Sequence, residues 1–168
     1  MSLRFVHPPR TGGSSIRRSW NLDPAEYDGH AFPGEKIPGE WRYGTVRNPW
    51  DRAVSLYRFP PTAPAPEVTF RTFVESRMAS HAGRWSLPVD HMAAPQARWL
   101  KDADFLVRFE NRDEDLAELA ECLGRPLPDL HIGPSPNRLP YRWYYTHETR
   151  DLIAEMYAED IELFGYTF

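Results

Sequence analysis

The chain has 168 residues, 41% of them hydrophobic and 26% charged, with a formal net charge of −4 at pH 7. That length suits one domain with a proper core and is too short for two of ordinary size, so a single domain over 1–168 is expected. The acidic balance argues against a large nucleic-acid surface, which needs many lysine and arginine contacts to phosphate, and no apolar run approaches the length of a membrane span.

Leu3 to His7 reads as a buried strand, followed by a turn, "PPRTGGSS", and a helix that Ser14 or Ser15 caps and that runs to about Trp20. Residues 21–40 are rich in glycine, proline and acidic residues and read as mostly irregular, with a short strand near His30. "WRYGTV" (41–46) is strand-like by its aromatic and β-branched content, and Pro49 suits the first turn of a helix in which Trp50, Ala53, Val54 and Tyr57 follow at helical spacing. "PPTAPAP" (60–66) reads as an exposed loop, Phe70 to Met78 as a helix and "DFLVRF" (104–109) as a strand. "NRDEDLAELAECLG" (111–124) carries acids in its first turn and glycine at its end, the marks of a helix. After the turn-rich "GPSPN" (133–137), Thr146 caps one closing helix with Leu152, Ile153, Met156 and Tyr157 on a single face. Strands alternating with helices predict the α/β class, as a three-layer α/β/α domain with a mainly parallel central sheet.

In an open parallel sheet, ligands collect outside the carboxyl ends of the strands, where both "PPRTGGSS" and "RNPWDRAVSLY" fall. Glycines let a backbone approach a ligand closely, and the first amides of a helix lack partners within it, so the first turn suits an anion. Alone, such a turn is as readily a plain structural one. It lacks the pattern G-x-x-x-x-G-K followed by Ser or Thr, which disfavours an ATPase or ordinary kinase. In the second stretch Arg47 sits at a strand end and Ser55 lies eight residues on, with Arg52 one turn before it. For any single arginine among Arg47, Arg52 and Arg58, a solvated face or a pairing with Asp51 is the plainer reading. Lys36 and Lys101 are the only lysines, and the arginine bias permits planar, bidentate anion contacts.

In combination, "FVHPPRTGGSSI" and "TVRNPWDRAVSLYRF" resemble the carbohydrate-type sulfotransferases that use 3'-phosphoadenosine 5'-phosphosulfate (PAPS). The usual pattern there is a Pro-Lys-Thr-Gly-Gly-Thr/Ser loop followed by Val-Arg-Asn-Pro-x-Asp-Arg-x-x-Ser-x-Tyr. The resemblance continues through "PQARWL" (95–100), "FLVRFENRDEDLAELAECLG" (105–124) and "YYTHETRDLIAEMYAEDIELFGY" (144–166). It implies a P-loop-NTPase-like sulfotransferase fold and transfer of a sulfuryl group to an acceptor hydroxyl, on a carbohydrate or small molecule, leaving 3',5'-phosphoadenosine (PAP). It implies further that Arg10, Thr11, Gly12, Gly13, Ser14 and Ser15 bind the 5'-phosphosulfate and that Arg47 and Ser55 bind the 3'-phosphate. Arg10 departs from the usual lysine, keeping the charge while changing reach and shape. The chain is also short for the family, so its acceptor-binding parts are expected to be pared down or supplied by a partner.

The family places a histidine or carboxylate ahead of the second motif as base, and His30 in "DGHAF", seventeen residues before Arg47, is the best match. Histidine can take a proton near neutral pH. His91 in "DHMAAPQARW" competes for that role, with Glu26, Asp28 and Glu35 as weaker alternatives, and Gln96 is a candidate to orient donor or acceptor. The plainer reading makes His91 a helix-start residue and Gln96 a surface one. Asn137 and Arg138 fall where the family's late loop reaches the nucleotide. Trp85, Trp99, Trp143, Tyr144 and Tyr145 offer flat faces to a sugar, although large aromatics are more often core. The six histidines show no metal-ligand spacing, so no catalytic metal is expected. A competing reading is a non-catalytic module that binds PAP; an unconventional kinase conflicts with the missing lysine motif. The lone Cys122 cannot form an internal disulfide and the N-terminus lacks a basic-then-apolar leader, so the cytoplasm is the expected compartment.

Overall fold

The run Ser2–Val6 places Phe5 and Val6, both buried, at the carboxyl end of a first strand, β1. It begins the computed structural model, which describes residues 2–27, 29–59, 65–78, 92–130 and 138–168. The helix α1 (Gly13–Ser19) and a 3-10 turn at Pro24–Glu26 lead to β2 (Glu40–Val46) and then α2 (Pro49–Tyr57). Next come α3 (Phe70–Phe73), which widens into a π turn over Val74–Met78, and the short α4 (Ala97–Leu100). β3 (Phe105–Arg108) and α5 (Arg112–Leu123) follow, then a 3-10 turn at Tyr141–Tyr144 and the helices α6 (His147–Met156) and α7 (Ala158–Phe164). The class is α/β. The described strands form one sheet in the order β1-β2-β3, parallel throughout, with Phe5 opposite Tyr43 and Tyr43 opposite Phe105.

Two expectations are corrected. Neither Ser14 nor Ser15 caps α1. Gly12 does, at φ 91°, a left-handed conformation that glycine adopts without steric cost and serine does not. The closing segment is two helices rather than one, because Tyr157 leaves the helical path (φ −114°, ψ 30°) between α6 and α7. Thr146 does cap α6, and its hydroxyl accepts the Thr149 N–H. Among its described residues, the irregular stretch before β2 carries a parallel bridge, Phe5 to Tyr27, with His30 itself in a turn.

The chain divides into two compact units, one of Met1–Arg47 with Arg98–Pro136 and one of Asn48–Ala97 with Asn137–Phe168. In the first, Phe5, Tyr43 and Val107 of the sheet pack with Ile16 of α1 and with Leu116 and Leu119 of α5. Gly44 is required on β2, since a Cβ there would lie 2.4 Å from the Val6 carbonyl oxygen and 2.5 Å from Leu100 Cδ2. In the second unit, Trp50, Ala53 and Val54 of α2 form a core with Phe70, Phe73, Ile153 and Tyr157. Asn48 caps α2 by accepting the Trp50 N–H, and Pro49, which has no N–H to leave unpaired, takes the first helical position. No helix among the described residues is long and apolar enough to cross a membrane.

Tyr43 gives a first prediction. It is 0% exposed, and its Oη has no hydrogen-bond partner among the described residues, as is also true of the nearby Arg125 Nη1. Burial pushes the Tyr43 hydroxyl up to about 12. A buried hydroxyl without a partner keeps its desolvation cost, so Tyr43→Phe should leave stability unchanged or raise it by about 1 kcal/mol. The check is the denaturant midpoint; a loss of more than about 1 kcal/mol, the typical net worth of a hydrogen bond, would mean that the hydroxyl is partnered.

Candidate functional site

The three strand ends of the first unit define the candidate site. Beyond β1, His7, Pro8 and Pro9 are buried and Arg10 is half-buried at φ 69°, an uncommon conformation for a residue with a Cβ. Thr11 is turned inward. Its hydroxyl donates to the Pro8 carbonyl at 2.7 Å and accepts from the Thr45 hydroxyl at 2.6 Å, so the side chain ties the loop to β2. At Gly13 a Cβ would lie 2.3 Å from His7 Cγ, so only glycine fits against the imidazole. Ser14 and Ser15 are half-buried in the first turn of α1.

Past the end of β2, Arg47 is only 4% exposed. Its Nη1 donates to the Arg10 carbonyl at 3.1 Å, and its guanidinium carbon sits 3.8 Å from the centroid of the Phe109 ring. Phe109 itself starts the 3-10 turn Phe109–Asn111 that follows β3. Asp115 on α5 fixes that turn, accepting the Arg108 N–H at 2.6 Å and the Asn111 side-chain amide at 2.8 Å. The structure therefore brings Arg10, Gly12, Arg47 and Phe109 together. Phe109 was missed by the motif reading, although it follows the third strand and the rule about carboxyl ends applies to that strand as well.

His30 is exposed and tied at two points to the same unit. Its Nδ1 lies 3.4 Å from the His7 carbonyl oxygen, which can only accept, and its own carbonyl accepts the Trp99 indole N–H at 3.1 Å. The Nδ1–H tautomer that this contact selects carries its lone pair on Nε2. The imidazoles of His7 and His30 meet edge to face, with centroids 4.6 Å apart. His7 follows the same logic. Its Nδ1 is 3.3 Å from the Pro8 carbonyl oxygen and its Nε2 accepts from the Tyr27 hydroxyl at 2.9 Å. Burial first, and then the neighbouring His30, bring the His7 pKa down from 6.5 to about 3.

The remaining candidates are elsewhere. Glu26 makes a two-pronged ion pair with Arg125 at 2.9 and 3.0 Å, and Glu35 is exposed. In the second unit, Ser55 is buried in α2 and Arg138 pairs with the Asp51 carboxylate. Gln96 is fully buried, its backbone and side-chain N–H groups both donating to Asp160 at 2.9 and 3.2 Å. Arg52 is as deep, donating to the carbonyls of Met92 and Ala94 at 2.7 and 2.9 Å, so it is a core cation and not part of a solvated face. Trp143 is 74% exposed, whereas Trp99 is buried. His91, Asp28, Trp85 and Asn137 lie outside the described residues. Among the described residues, no group of three or more His, Cys, Asp or Glu side chains is placed to hold a metal ion. Comparison of the chain with family models, with curated proteins and with solved structures finds no match.

Proposed function

We propose that the chain is a PAPS-dependent sulfotransferase of three-layer α/β/α architecture, acting on an acceptor hydroxyl, with a carbohydrate as the first acceptor class to test and the cytoplasm as its compartment. One observation carries the reading: the Arg47 guanidinium donates to the Arg10 carbonyl, so the arginine of the second stretch that resembles a phosphate motif meets the first such stretch within one unit. The donor set fits a ligand with two anionic ends. Arg10 and the half-buried Ser14 and Ser15 belong to a turn that Gly12, half-buried at φ 91°, lets the backbone make, and Arg47 meets that turn.

When bound, PAPS supplies an activated sulfuryl group on its 5'-phosphate. Arg10 and the loop amides stabilise the charge that develops on the leaving side, and Arg47 holds the 3'-phosphate. His30 accepts the acceptor's proton at Nε2. Thr11 contributes through its backbone and through the shape that its two hydroxyl contacts give the loop.

Calorimetric titration with PAP, ATP and AMP tests the reading. PAP should bind far more tightly than either, and Arg47→Ala should weaken PAP about tenfold or more, because a charge-assisted hydrogen bond contributes roughly 1.5 to 3 kcal/mol. Equal affinity for PAP and ATP would overturn the donor assignment.

A further inference from the structure

We propose that Phe109 is the positioning residue that sets preference for a 3'-phosphate, by aiming the Arg47 guanidinium and locking it to the first loop; the proposal rests on the sulfotransferase reading. The ring makes two contacts at once. The guanidinium lies 3.8 Å from its centroid, and the position a Cβ would take at Gly12 is 3.1 and 3.4 Å from two of its carbons. The ring thus lies beside both Arg47 and the glycine turn of the first loop.

The chemistry of that contact differs from an ion pair. A carboxylate would orient an arginine by neutralising it. An aromatic ring orients it through the quadrupole and dispersion while leaving the positive charge in place. With its guanidinium carbon 3.8 Å from the ring centroid, Arg47 is held by the ring through a contact that uses none of its N–H donors, the groups that grip a phosphate. The Arg10 carbonyl takes one of those donors and so fixes the rotation of the plane. Phe109 can act as a rigid stop because Asp115 clamps the backbone on one side of it and the Asn111 side chain on the other.

The test uses PAP and AMP, which differ only in the 3'-phosphate, titrated against wild type, Phe109→Leu, Phe109→Tyr, Arg47→Ala and the double variant of Phe109→Leu with Arg47→Ala, each checked for an unchanged far-ultraviolet spectrum and a cooperative melt. Phe109→Leu keeps apolar bulk but loses the quadrupole, so the ratio of PAP to AMP affinity should fall about fivefold, within the range expected of a desolvated cation–π contact. Phe109→Tyr keeps the ring face and should hold the wild-type ratio. In the Arg47→Ala background, Phe109→Leu should change the ratio by less than about twofold, the sign of two groups acting as one. A Phe109→Leu protein that binds both ligands more weakly by the same factor, or effects that add in the double variant, would make the ring a packing residue and overturn the proposal. Wild type that prefers PAP to ATP while Phe109→Leu keeps the full ratio removes the role of Phe109 alone; wild type with no preference for PAP removes the sulfotransferase reading and the proposal with it.

Discussion

Acidification from pH 7 to pH 4 is expected to cost about 3 kcal/mol of folding stability through His7 alone, roughly 1.4 kcal/mol for each pH unit below its unfolded value. The imidazole is buried, with its pKa brought from 6.5 down to about 3, chiefly by burial and then by His30, with Arg17 adding a smaller push in the same direction. The Pro8 carbonyl opposes the shift, and the Tyr27 hydroxyl faces the other ring nitrogen. Above pH 6.5 both folded and unfolded chains carry a neutral His7, and the effect vanishes. Between pH 6.5 and about 3 the unfolded chain takes up a proton that the fold refuses, so stability falls as pH falls. His7→Asn, which keeps an amide donor and cannot titrate, separates this from the carboxylates common to both proteins. It should be less stable at pH 7 and should lose less stability between pH 6.5 and 4, by about one proton's worth of slope. Denaturant unfolding at pH 7, 5.5 and 4 measures both slopes. Parallel curves for the two proteins would show that His7 charges freely in the fold.

The sequence patterns that proved readable are local. β1, β2 and β3 fall within one or two residues of their expected places because buried parallel strands are written as short apolar runs. The helices α2, α5 and α6 start at Asn48, Asn111 and Thr146, polar residues ahead of apolar periodicity, and α5 ends on Gly124 at φ 60° as its glycine signals. What escaped notice depends on partners far along the chain. Asp160 and Arg52 look like surface charges on amphipathic helices. Yet Asp160 is fully buried because it accepts the backbone N–H groups of Gln96 and Ala97, and Arg52 is buried because it answers the carbonyls of Met92 and Ala94. Those interactions also explain why Gln96 is a core residue. The inward turn of Thr11 needs Thr45, and the demand for glycine at 13 comes from the His7 side chain, neither of which a motif records.

His30→Ala is expected to slow sulfuryl transfer by about a hundredfold or more while PAP affinity stays within about twofold, the usual worth of a positioned general base that does not hold the donor. The expectation rests on where the proton sits. With Nδ1–H directed at the His7 carbonyl, the lone pair of the neutral ring is on Nε2, and Trp99 pins the loop through the His30 carbonyl. The measurement is single-turnover transfer from labelled PAPS to an acceptor first sought among mixed glycans and simple phenols, followed across pH. Wild type should lose rate as His30 takes up a proton, and His30→Ala should lack that acidic limb as well as the rate. A residue that merely shapes the loop would lower the rate and leave the limb in place. Full activity in His30→Ala would move the base to His91 or to a carboxylate, and a wild type that binds PAP tightly yet transfers nothing to any acceptor would make the chain a PAP-binding module.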